Sequence, residues 1–205
     1  MRTKKIFILC FLVCFSVLVY AQTEVWQDVG RPGFSFGETS WISLYVYNNT
    51  PYVAFSDKNY EGKITVMKYE GNYWLPVGAR GFSAGAIYRT SLYVYNGVPY
   101  IAFGDDANGG RATVMRYNGT QWEAIGNAGF SGGYINFISL YVYNNTPYVT
   151  FSDLTDVNNR LVVMRYNGTK WDYVGDKYIS EGRADYAKII IDNGEIYVGY
   201  KDYAN

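Results

Sequence analysis

Short runs in which apolar and aromatic residues fill both alternating faces recur along the chain, each closed by a turn of Asn, Gly or Pro. The first complete set runs Ser43-Leu44-Tyr45-Val46-Tyr47, a turn at Asn48-Asn49-Thr50-Pro51, then Tyr52-Val53-Ala54-Phe55-Ser56-Asp57. Ile64-Thr65-Val66-Met67-Lys68-Tyr69 follows, then a turn at Glu70-Gly71-Asn72 and Tyr73-Trp74-Leu75-Pro76-Val77. Runs of this length, rich in β-branched and aromatic residues, predict strands. We label the four a to d. Later copies place Asn96-Gly97, Asn118-Gly119 and Asn167-Gly168 in the a–b and c–d turns. A two-residue hairpin turn needs positive φ at both central positions, which Asn and Gly tolerate best. The predicted unit is therefore an antiparallel meander. Leu92-Tyr93-Val94-Tyr95 and Tyr100-Ile101-Ala102-Phe103 are apolar on both faces, so the sheet must be covered on both sides.

What covers it is told by the period. Trp26, Trp74, Trp122 and Trp171 recur at intervals of 48, 48 and 49 residues, each opening a W-x-x-[VI]-G phrase. A fixed period in this range marks a unit that cannot bury its own faces and stacks on copies of itself. Four-stranded meanders repeated in this way predict an all-β fold, a β-propeller. Complete sets occupy 43–78, 91–126 and 139–175, and a partial fourth spans 188–205. Residues 24–30, around Trp26, are expected to supply a strand d to that fourth blade. No strand c precedes Trp26. The chain then makes either a four-bladed ring with a three-stranded closing blade or an incomplete ring, and an incomplete ring allows copies to assemble.

Composition narrows the chemistry. Arg2, Lys4 and Lys5 precede an apolar stretch over 6–19 and the small-residue site Val19-Tyr20-Ala21, which together predict a signal peptide over 1–21. A membrane-spanning helix needs about 20 apolar residues, more than this stretch supplies. The propeller is assigned to 22–205, secreted or at the cell surface or periplasm. Cys10 and Cys14 both lie in the leader, and the chain has no histidine. Disulfides, thiol chemistry and most histidine-based zinc or Ser-His chemistry are thereby excluded from the mature chain. Lys+Arg and Asp+Glu number 18 each, so losing three basic leader residues leaves an acidic excess. That balance argues against a nucleic-acid partner.

The phrases W-x-x-V-G, G-F-S-x-G, S-L-x-V-x-N, P-Y-V-x-F-x-D and V-M-[KR]-Y-x-G-x-x-W cover the chain from Trp26 to Asp202. They resemble a repeat of secreted bacterial β-propeller proteins and, more loosely, lectin propellers and sialidase-type propellers with Asp-boxes. Asn118-Gly119-Thr120-Gln121-Trp122 and Asn167-Gly168-Thr169-Lys170-Trp171 sit where an Asp-box would. Arg-Tyr-Asn stands there in place of the Ser-x-Asp of that motif.

Copies within one chain separate scaffold from site. The a–b and c–d turns barely change, whereas the d-to-a links and b–c loops do, and in a meander both of these lie at one end. The links share G-F-S-x-G at Gly33–Gly37, Gly81–Gly85 and Gly129–Gly133, with Tyr178–Gly182 a degenerate copy. Its glycines read as tight turns and its Phe as a plug between blades. Beyond that frame the copies diverge, presenting Glu38, Trp41, Tyr88, Arg89, Asn136, Phe137, Asp185 and Tyr186 as ligand-binding candidates near the channel mouth. Aromatic faces among Arg, Asn and Asp groups suit sugar rings or an extended peptide; the bland alternative is a channel plug. The acid that ends strand b, Asp57, Asp105, Asp153 and Asp202, recurs in every copy and is expected to accept local backbone N–H groups, as the four tryptophans are expected to serve structure. Asp105-Asp106-Ala107-Asn108-Gly109 and 153–156 offer oxygens to Ca²⁺ but lack the spacing of a known loop, and no cofactor is expected. Lys68, Arg116 and Arg165 read as ion-pair partners, and the Asn-x-Thr triplets as turns.

These observations point to a secreted, non-enzymatic binding or adhesion module, its partner a glycan or a protein. One rival is a sialidase-like hydrolase or lyase drawing on Arg89, Arg183, Glu38, Tyr88 and Asp185. Another is a structural spacer of a larger surface protein.

Overall fold

The computed structural model describes residues 25–204. The expected signal peptide lies outside the described residues. Three four-stranded antiparallel sheets and one two-stranded sheet follow one another along the chain. The first contains β1 (Thr39–Tyr47), β2 (Thr50–Asp57), β3 (Lys63–Glu70) and β4 (Tyr73–Pro76). The second contains β5 (Ile87–Tyr95), β6 (Val98–Asp105), β7 (Arg111–Tyr117) and β8 (Trp122–Ala124). The third contains β9 (Ile135–Tyr143), β10 (Thr146–Asp153), β11 (Leu161–Tyr166) and β12 (Trp171–Tyr173). β13 (Ala184–Asp192) and β14 (Glu195–Asp202) form the fourth. Each complete sheet keeps sequence order across its width, the meander that the tight turns demand. The all-β propeller architecture predicted from the repeat is the observed one.

Sheets stack face to face. Tyr52, Ala54, Ile64 and Val66 of the first sheet form one core with Leu92, Val94, Ile101 and Phe103 of the second. Tyr100, Ala102, Ala112 and Val114 repeat the arrangement against Leu140, Val142, Val149 and Phe151 of the third. Both faces of a blade are apolar because each meets a neighbour. At the two ends of the arc the same positions are open. Leu44 on β1 is 65% exposed, whereas its counterpart Leu92 is 4% exposed. Ile190 and Tyr197 are exposed on the fourth sheet.

Three sets of polar staples fix how one blade sits on the next. The indole N–H of Trp74 donates to the Val29 carbonyl at 2.7 Å, Trp122 to Val77 at 2.7 Å, and Trp171 to Ile125 at 2.8 Å. The W-x-x-[VI]-G phrase is thus one half of a bond to the next copy: its Trp reaches back and its Val or Ile receives. The Phe of each G-F-S-x-G link stacks on the same indole, Phe82 on Trp122 at 4.4 Å and Phe130 on Trp171 at 4.2 Å. The Gly that closes the phrase has positive φ and touches the next Trp; a Cβ on Gly78 would lie 2.9 Å from Tyr117 and 3.2 Å from Trp122. In the link, the Ser83 hydroxyl donates to Gly85 and accepts from the Ile64 N–H; Ser131 and Ser180 repeat this. Along the inner strands, Ser43 accepts from the Leu92 N–H and Ser91 from the Leu140 N–H, both at 2.9 Å. The inner strands β1, β5, β9 and β13 consequently pack in succession.

Two expectations are corrected. Residues 25–28 carry no regular structure, so the strand expected over 24–30 is not formed among the described residues. Trp26 does not share the environment of the other three tryptophans: it is fully exposed. The repeated acids behave as expected at all four positions, each accepting the N–H two residues on. Asp57 accepts from the Asn59 N–H and the Thr65 hydroxyl, and Asp105 from the Ala107 N–H, the Asn108 amide and the Thr113 hydroxyl. Each caps the short 3-10 turn that follows strand b. Val162 replaces that threonine in the third blade, and Asp153 is held instead by Thr155, by the Tyr178 hydroxyl and by Lys177 at 3.7 Å. Asp202 is exposed and accepts from the Ala204 N–H.

Candidate functional site

The inner strands start earlier than their alternation suggests. β1 begins at Thr39 rather than near Ser43, and each inner strand runs through an irregularity that shifts its register against strand b, between Ser40 and Ser43 in β1 and between Tyr88 and Thr90 in β5. β9 and β13 carry the same shift. At that point stand Trp41 (φ 52°), Arg89 (φ 51°), Phe137 (φ 50°) and Tyr186 (φ 57°). A bulge re-aims one side chain out of the pleat, and a left-handed backbone at a bulky residue costs roughly 1–2 kcal/mol each time. The same unfavourable conformation held at four equivalent positions is a constructed feature of the fold.

Its effect is to gather four side chains around one axis. Trp41, Arg89, Phe137 and Tyr186, with Ile42, Thr90, Ile138, Ala187 and Lys188, line a single cavity of about 220 Å³. Arg89 lies between two rings, its guanidinium carbon 4.4 Å from the Trp41 ring centre and 4.8 Å from that of Phe137. Its Nε–H donates to the Asn136 side-chain oxygen at 2.6 Å, and that oxygen also accepts the Phe137 N–H at 3.0 Å. Phe137 meets Tyr186 with ring centres 4.4 Å apart. The Thr90 hydroxyl donates to the Trp41 carbonyl. Deeper along the inner strands Tyr45, Tyr93 and Tyr141 form a column with centres 4.8 and 4.7 Å apart, and burial pushes the Tyr93 phenol above its ordinary value.

Of the eight candidates read from the sequence, four line the cavity and Asn136 orients one of them. The other three stand apart. Tyr88 stacks on Tyr134 at 4.9 Å and donates its hydroxyl to the Gly110 carbonyl. Burial, with Tyr134 beside it, raises its phenol well above the ordinary value, the opposite of an activated nucleophile. The Tyr–Glu pair of a sialidase-like site is therefore not formed. Asp185 is buried and paired with Arg183 at 2.7 Å, and Arg183 in turn lies over the Tyr203 ring at 4.8 Å. Glu38 is exposed and 3.7 Å from Lys58. Lys188 was missed. Its signal was available: Ser43, Ser91 and Ser139 occupy its position in the other copies.

Among the described residues, no group of three or more His, Cys, Asp or Glu is arranged to hold a metal ion. The oxygens that the 105–109 loop offered to Ca²⁺ are engaged by its own donors at Asp105. Of the three strand c cations expected in ion pairs, Arg116 meets Glu123 at 2.7 Å, but among the described residues Arg165 has no such pair, because Asp172 opposite it is taken by Lys170 at 3.1 Å. Lys68 pairs with Glu70 at 2.7 Å.

No family model matches the chain, and no curated protein resembles it in sequence. Solved structures do share its fold. One is a thermostable family-43 glycoside hydrolase, TM-score 0.53 and 11% identity, covering 79% of this chain and 63% of that one. Another is an endo-1,4-β-xylanase from Bacteroides thetaiotaomicron, TM-score 0.52 and 15% identity, covering 82% and 65%. A third is the Aleuria aurantia lectin in complex with α-methyl-L-fucoside, TM-score 0.53 and 11% identity, covering 78% and 53%. The chain thus spans less than two thirds of the length of these structures, and at such identities the likeness concerns the fold. The comparison corrects the expectation of a non-enzymatic adhesion module. Several of the structures that share the fold are glycoside hydrolases, a finding that counts against that reading. Among the described residues, no helix is long and apolar enough to cross a membrane.

Proposed function

We propose that this chain is a carbohydrate-active propeller of the glycoside hydrolase kind, acting on a polysaccharide seated at its axial mouth. The observation that carries the reading is the convergence of Trp41, Arg89, Phe137 and Tyr186 on one cavity, each from a strained position, on a fold common among glycoside hydrolases. Aromatic rings with a few polar groups suit sugars, whose rings carry C–H faces and hydroxyl edges. Hydrolysis needs two carboxyl groups flanking the scissile bond, one as acid and one as base or nucleophile. The candidate carboxyls Asp185 and Glu38 lie near Tyr186 and Trp41 in sequence but do not line the cavity, so the part of the cavity in this reading is to hold the sugar.

Release of reducing ends from a panel of plant and bacterial polysaccharides tests the reading. Turnover is expected, and Trp41→Ala and Tyr186→Ala, which strip the cavity wall, are each expected to lower it about tenfold. No turnover across the panel, or turnover untouched by both substitutions, overturns it.

A further inference from the structure

We infer that the mouth cavity takes an acidic sugar, the uronosyl unit of a polysaccharide, with its carboxylate on the Arg89 guanidinium and Lys188 as a second cation. The inference rests on the proposal that the mouth is the sugar site and adds the charge of the ligand. Among the residues lining the cavity are two cations, Arg89 and Lys188, and no carboxylate. Arg116 pairs with Glu123, Arg160 with Asp156 and Arg183 with Asp185, each at 2.7–2.9 Å, whereas Arg89 is held by rings and an amide alone. Among the described residues, Arg89 and Lys188 have no such acidic partner. Asp185, the nearest acid in sequence, is already taken by Arg183.

Arg89 is also poised in a particular way. Trp41 and Phe137 cover its two faces, and Asn136 holds its Nε–H. What remains is the end of the guanidinium fork, in the plane that binds a carboxylate through two parallel hydrogen bonds. The sandwich fixes that plane beforehand, so little side-chain entropy is lost when a ligand arrives. Lys188 strengthens the case independently. Ser43, Ser91 and Ser139 use that position for a hydrogen bond to the next inner strand, the last to Ile189 at 3.3 Å. In the fourth copy the neutral hydroxyl gives way to a charge that lines the same cavity. A site for neutral sugars would put acceptors such as carboxylates against the hydroxyls, and none lines this one.

The test is calorimetric titration with a trigalacturonate, its methyl ester, a sulfated neutral trisaccharide and xylotriose. The uronate is expected to bind, with affinity falling as salt rises, and the ester and xylotriose to bind at least tenfold more weakly. Arg89→Lys keeps the charge but not the planar fork, and is expected to lose about tenfold. Lys188→Ser restores the residue of the other three copies, so it folds, and is expected to lose several-fold. Equal binding of acid and ester, preference for the sulfated sugar, or no change in both variants overturns the inference. Cleavage of neutral polysaccharides without uronate binding overturns it and leaves the hydrolase reading standing. Uronate binding without any release of reducing ends does the reverse.

Discussion

Trp122→Phe and Trp26→Phe are the same substitution in the same phrase, and the structure predicts opposite results. Trp122 is 8% exposed, stacks on Phe82 at an interplanar angle of 3° and donates its indole N–H to Val77 in the preceding blade. Phe keeps part of the stack and removes the donor. The Val77 carbonyl, in a buried residue, then lacks its partner, which costs about 1–3 kcal/mol. The lost ring area and the gap left behind add about 1 kcal/mol more. The total is about 2–4 kcal/mol, or roughly 5–15 °C in Tm for a chain of this size. Trp26 is fully exposed, so Trp26→Phe is expected to stay within about 0.5 kcal/mol. Urea unfolding followed by circular dichroism, which needs no tryptophan reporter, reads both. Equal losses in the two variants, or no loss at Trp122, would refute the staple.

Three further outcomes follow from the same scaffold. Gly78→Ala and Gly175→Ala share φ near 74°, but a Cβ meets Tyr117 at 2.9 Å in the first and nothing within 4 Å in the second; thermal melts should show Gly78→Ala the worse by about 1–3 kcal/mol. Ser91→Ala orphans the Leu140 N–H between two inner strands and is expected to cost about 1–3 kcal/mol in urea unfolding. Arg160, through its hydrogen bonds, holds the Asp156 carboxyl down to about 2. A depressed carboxyl stabilises the fold above its unfolded pKa, about 3.9, and loses that contribution as pH falls through its folded value. Carboxyl-carbon NMR should show Asp156 titrating near 2, and Arg160→Ala should return it toward its ordinary range.

Much of the scaffold was legible in the chain. The turn dipeptides, the two-faced apolar runs and the tryptophan period give the meander and its stacking, because these depend on local backbone geometry and burial that every copy must satisfy. The site was legible only in part. Trp41, Arg89, Phe137 and Tyr186 stood out as divergent positions in equivalent places, but they read as loop residues, since a bulge breaks the two-residue alternation that betrays a strand. Tyr88 and Asp185 looked like mouth residues because they adjoin those positions; a one-residue step in a strand turns a side chain to the opposite face. Trp26 carries the same phrase as its copies, yet its indole is fully exposed where theirs are packed, a difference the phrase itself does not carry.

The central claim is that the blades turn about an axis and bring their bulged residues to one mouth. Spin labels at positions 41 and 186, on the first and last inner strands, test it by pulsed dipolar spectroscopy. Blades turned about an axis hold the two labels within about 20 Å, whereas sheets spaced about 10 Å apart along a straight stack separate them by about 30 Å. A single short distance is the predicted result; a distribution centred near the longer one contradicts the account.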